Sequence, residues 1–90
     1  MRYLITYDIS EDSVRNKLIK FLNEYGKRVQ FSCFEIEASK IQLADLIKKI
    51  DDLIDKETDK VFFFPISDYA APFVRKLGKN ADEDNPNVVL

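Results

Sequence analysis

The chain has no histidine and no tryptophan, and its only cysteine is Cys33. Without histidine, Ser-His and Cys-His nucleophilic catalysis and histidine-ligated metals are all excluded. One thiol can form no intrachain disulfide and cannot build a structural zinc cage. Catalysis, if there is any, must rest on carboxylates, Arg or Lys, Tyr, Ser or Thr, the lone Cys, or a metal held by oxygen. No linker or internal repeat appears. No apolar run approaches the roughly 18 residues that span a bilayer, and no signal-peptide layout precedes the first apolar segment. The expectation is a cytoplasmic protein that does not enter a membrane.

Hydrophobic residues make up 46% of the 90 residues and charged residues 33%, which suits one folded domain over 1–90 rather than a disordered chain. The net charge of −2 is uneven. Asp82, Glu83 and Asp84 fall in the last ten residues, where there is no base, so the first eighty are slightly basic. Local charge, not the total, governs phosphate contact.

Tyr3 to Tyr7 are all β-branched, aromatic or aliphatic, the pattern of a strand buried on both faces, and the segment runs straight into Asp8. A helix over Glu11–Tyr25 follows, with Val14, Leu18, Phe21, Leu22 and Tyr25 on one face. Ser10 is its expected N-cap and Gly26 its left-handed stop. A second helix runs from Ile41 to about Lys56 behind a capping box of Ser39 and Gln42. Its stripe is Leu43, Leu46, Ile47, Ile50, Leu53 and Ile54. Arg28 to Glu37 has room for one long strand or a tight hairpin, though no Gly, Pro or Asn marks a turn. Lys60–Phe64 reads as a strand stopped by Pro65. Phe73–Leu77 is a weaker strand, and Val88-Val89-Leu90 is an apolar end.

This order predicts an α+β fold, a ferredoxin-like βαββαβ sandwich with one or two extra C-terminal strands. Tyr3 and Ile5 point one way and Leu4 and Thr6 the other, and Phe62 and Phe64 oppose Val61 and Phe63, so both sheet faces are largely apolar while two helices can cover only one. A second apolar face needs another layer, and a second copy of the chain is the economical source. The expectation is a homodimer, with residues 79–90 as a tail or strand packing on the partner subunit.

Asp8 is either a turn residue leading into the first helix or a metal ligand. If two copies converge on a two-fold axis, their carboxylates repel unless a cation lies between them, and Mg²⁺ (or Mn²⁺) accepts such a site. Arg15, Lys17 and Arg28 are solvated surface residues, or grips for phosphodiester oxygens in the case of Arg15 and Arg28. Phe34 is core in the simplest reading, or a base-stacking ring if it is exposed. Cys33 reads as a small buried hydrophobe.

Tyr7-Asp8-Ile9-Ser10, Arg15-Asn16-Lys17-Leu18, and Tyr25-Gly26-Lys27-Arg28-Val29-Gln30-Phe31-Ser32-Cys33-Phe34-Glu35 together resemble the CRISPR-associated Cas-two family, whose members partner the spacer integrase. The resemblance implies a ferredoxin-like homodimer whose C-terminal strand joins the partner's sheet. It also implies metal-dependent endonuclease activity on single-stranded RNA or double-stranded DNA. By position, Asp8 matches the family's metal-binding aspartate, and Tyr7 is the residue before it. Arg15, Arg28 and Phe34 match positions implicated in substrate handling. Cys33 replaces a small aliphatic residue.

Three functions follow as expectations. The first is an endonuclease of CRISPR adaptation (spacer acquisition) that shares one divalent ion between two Asp8 carboxylates. The second is a non-catalytic scaffold bridging integrase dimers on DNA. The third, outside the family, is a ferredoxin-like RNA-binding or regulatory domain.

Overall fold

The computed structural model describes residues 1–75 and Leu77. Strand β1 (Arg2–Asp8) leads into helix α1 (Asp12–Asn23). A hairpin of β2 (Gly26–Gln30) and β3 (Cys33–Glu37) follows, then helix α2 (Lys40–Leu53) and β4 (Lys60–Ile66). All pairings are antiparallel and the strand order is β2-β3-β1-β4. This is the expected ferredoxin-like βαββαβ arrangement, with both helices packed on one side of the sheet. None of the helices described is long and apolar enough to cross a membrane.

Side chains alternate along a strand, so β1 sorts its residues strictly. Tyr3, Ile5 and Tyr7 are buried beneath the helices, joined by Phe34 and Ile36 of β3. Leu18 and Leu22 of α1 and Leu46 and Ile50 of α2 close this core. Ile47, expected in the α2 stripe, is 41% exposed. At the α2 N-terminus, the Ser39 hydroxyl accepts from the Gln42 N–H at 3.1 Å and the Gln42 side chain accepts from the Ser39 N–H at 2.9 Å. The expected capping box is present.

Four local expectations need correction. First, Glu11, not Ser10, is the N-cap of α1, and no side chain caps it, because the Ser10 hydroxyl faces the loop before β4. Second, Gly26 begins β2 rather than ending α1 in a left-handed turn. A Cβ there would lie 2.0 Å from the Glu35 carbonyl oxygen, so glycine is required by the close approach of β3. Third, β4 continues through Pro65 to Ile66. Proline fits there because β4 is an outer strand of the sheet among the described residues, where a missing N–H costs little. Fourth, Phe73 belongs to a 3₁₀ turn over Ala71–Phe73, not to a strand. The expected C-terminal strand and the tail over 79–90 lie outside the described residues.

The hairpin turns without glycine by placing Ser32 at φ 64°, a conformation that serine adopts only at some cost. Gln30 pairs with Cys33 across this two-residue connection of Phe31 and Ser32, with an irregularity between Arg28 and Gln30.

Candidate metal and phosphate site at the end of the sheet

The last residue of β1 carries the candidate carboxylate. By strand alternation Asp8 stands on the face opposite the helices, in line with Leu4 and Thr6. Its partner across the β1–β4 ladder is Lys60, followed along the same face by Phe62 and Phe64. The Asp8 carboxylate is exposed and makes no hydrogen bond or ion pair among the described residues. Phe62 and Phe64 are 56% and 49% exposed and meet edge to face with ring centres 6.2 Å apart. The uncovered face therefore carries an apolar patch of Leu4, Phe62 and Phe64, with Asp8 and Lys60 at one end. Towards β3 it becomes charged, where Arg2 pairs with Glu35 and Glu37 at 3.8 and 3.7 Å.

A different side of the sheet holds the other expected site residues. Tyr7 is buried against Phe34, ring centres 6.3 Å apart. Burial pushes the Tyr7 phenol above its usual pKa, while the nearby charges of Arg28 and Arg15 and the Ser32 backbone pull it back. The phenol thus stays protonated near neutral pH and is a donor rather than a base. Arg15 is occupied: Nη1 donates to the Ile9 carbonyl at 3.0 Å and Nη2 to Asp12 Oδ1. Its geometry suits holding the β1–α1 loop closed. Arg28 is exposed on outer strand β2 and makes no hydrogen bond or ion pair among the described residues. It remains available to a phosphate. Phe34 has no exposed surface. The expectation that it could stack on a base is corrected here, because its ring fills the core opposite Ile5.

Asp59 went unnoticed in the sequence. It is 8% exposed and gathers the loop before β4. Its Oδ2 accepts from the Asp55 N–H at 2.9 Å, and its Oδ1 accepts from the Ser10 N–H at 3.0 Å and lies within reach of the Ser10 and Thr58 hydroxyls. These donors, led by the Ser10 N–H, hold its carboxyl below the usual aspartate range. Asp59 thereby fixes the backbone two residues past Asp8. Lys60, next to it, adds a cationic side chain beside Asp8. No short-range motif signals either residue.

One chain offers no group of three or more Cys, Asp or Glu side chains that could cage a metal among the described residues. What this end of the sheet does offer is the exposed Asp8 carboxylate, which makes no hydrogen bond or ion pair among the described residues. That fits an ion such as Mg²⁺, which is commonly held by one or two carboxylates with waters and substrate phosphate, provided that a second copy brings its own Asp8.

Comparison with known proteins adds an independent line. The family model described as CRISPR associated protein Cas2 matches residues 1–71. A Methanospirillum hungatei protein named CRISPR-associated endoribonuclease Cas2 2 is 36% identical over 90 residues, spanning 100% of this chain and 99% of its own. A Thermus thermophilus protein named CRISPR-associated endonuclease Cas2 2 is 37% identical over 65 residues, 72% of each chain. The crystal structure of Streptococcus pyogenes Cas2 superposes with a TM-score of 0.80 at 28% identity, covering 87% of this chain and all of that one.

Proposed function

The chain belongs to the CRISPR-associated Cas2 family, and we propose that it acts as a homodimeric, divalent-metal-dependent nuclease of CRISPR adaptation. Family membership removes the alternative of an unrelated ferredoxin-like regulatory domain. The observation that carries the proposal is that Asp8 shares its sheet face with the exposed rings of Phe62 and Phe64. Packing that apolar face against its copy gives a two-fold interface with Asp8 at its rim, the arrangement that lets two carboxylates converge. At the other end of β4, a groove of about 540 Å³ lined by Met1, Leu4, Pro65, Ile66, Phe73 and Val74 suits an apolar segment of the partner. Val88-Val89-Leu90, at the end of the 79–90 tail, is the proposed occupant.

The two Asp8 side chains would hold Mg²⁺ or Mn²⁺, which when bound supplies charge to polarise a scissile phosphate and to acidify water. The chain's own residues do the rest. Lys60 and Arg28 hold phosphate oxygens, Arg15 and Asp59 keep the β1–α1 loop in place, and Tyr7 can donate a hydrogen bond. The substrate is RNA or DNA, and the cellular partner is the CRISPR integrase.

The test is cleavage of RNA and duplex DNA with Mg²⁺, with Mn²⁺ and with chelator, for wild type and Asp8→Ala. Cleavage that needs the ion and is lost in the folded, dimeric variant supports the nuclease. Equal cleavage by both proteins overturns it.

A second reading, a scaffold that bridges integrase dimers on DNA with Asp8 idle, is favoured by how sparse the site is, with no group of three acidic side chains gathered to hold a metal among the described residues. Failure of both proteins to cleave, while both support integrase-dependent spacer capture, selects the scaffold.

A further inference from the structure

Phe34 is sealed in the core, yet the hairpin holds a second phenylalanine three residues earlier in the opposite condition. Phe31 is 80% exposed, and its backbone position is set by the turn. It occupies the two-residue connection between β2 and β3, where Ser32 at φ 64° sets the turn. The Tyr7 N–H donates to the Ser32 carbonyl at 3.1 Å, which fastens the turn to the last residues of β1. The ring therefore stands at the Asp8 end of the sheet, on the hairpin that also carries exposed Arg28.

We infer that Phe31 is a stacking platform for an unpaired base, so that the site accepts single-stranded nucleic acid, or a frayed end, in preference to a closed duplex. The inference rests on the nucleic-acid reading above and deepens it. A phenylalanine ring has only two side-chain torsions to fix when a base settles on it, so the cost in conformational freedom is small. Every base has a π-face, so such a contact tolerates sequence. Phosphate neutralisation by Arg28 on the same hairpin supplies the complementary charge. A base paired inside a duplex does not present its face, which makes the contact selective for unpaired strands.

Fluorescence anisotropy in chelator, so that nothing is cut, tests this with a labelled single-stranded RNA, a single-stranded DNA and a blunt duplex. Phe31→Ala should weaken single-strand affinity about tenfold while leaving duplex affinity within about twofold. Phe31→Trp should retain single-strand affinity, and Phe31→Leu, apolar but not planar, should behave like Ala. An unchanged Ala variant overturns the inference, as does a Leu variant that binds as well as wild type. Sedimentation of the same proteins covers the rival occupant: if Phe31→Ala dissociates the dimer, the ring belongs to a contact between copies. Wild type that binds no nucleic acid at all overturns both this inference and the reading beneath it. Loss of the Phe31 effect alone leaves the nuclease standing.

Discussion

Ser10 and Asp59 are joined across 49 residues of sequence by the Ser10 N–H, which donates to the Asp59 carboxylate at 3.0 Å. The bond ties the loop that leaves Asp8 to the loop that enters β4. Because these donors lower the Asp59 pKa, the linkage has a definite sign. The carboxylate's contribution to stability is complete above the unfolded-state value of about 3.9 and disappears as pH falls through the lower folded value. Asp59→Asn should melt at a lower temperature than wild type at pH 7. The gap should narrow as pH drops below about 4. Thermal melts at several pH values measure it.

Phe34 is a packing residue, and its truncation should register as stability. Phe34→Ala removes a fully buried ring and should cost about 3–5 kcal/mol. Any loss of nucleic-acid binding should follow unfolding and recover under conditions that restore the fold. Denaturant titration alongside binding separates the two.

Arg28 should matter for grip. With no protein partner to lose among the described residues, Arg28→Ala should leave the melting temperature nearly unchanged. It should lower affinity for nucleic acid and reduce the slope of log K against log salt by about 0.7 for a single strand, the value of one phosphate contact. An unaltered slope would return Arg28 to the solvated surface.

The uncovered sheet face should hold the dimer. Sedimentation at micromolar concentration should give twice the 10.5 kDa of one chain. Each Phe buried at an interface contributes about 1.5–3 kcal/mol, so replacing Phe62 and Phe64 together by Ser should raise the dimer dissociation constant at least about a hundredfold. A wild type that sediments as a monomer removes the shared Asp8 site as well.

What could be read from the sequence was local in character. The Ser39–Gln42 box and the stripes of α1 and α2 involve residues three or four apart, and a helix makes those neighbours. Strand alternation likewise showed that both sheet faces are largely apolar, while which face the helices cover, and that Leu4 and Phe62 share the other, came only with the register. The misreadings involve distant contacts. Ser10 resembles a cap until Asp59 claims it, and Gly26 resembles a stop until β3 lies against it. Phe31 and Phe34 are the same residue type in one β-rich segment. Only the register, with Phe34 opposite Ile5 and Phe31 in the turn, decides which is buried.

Gly26 also makes a statement about heritable variation. With the Glu35 carbonyl oxygen 2.0 Å from where any Cβ would sit, even alanine pushes β2 off β3 and shifts the hairpin that carries Arg28 and Phe31. Every change at the first or second base of a glycine codon replaces the residue, so most point mutations at this codon should be loss-of-function. In a saturation screen position 26 should tolerate no replacement, while position 31 accepts many for folding and few for binding.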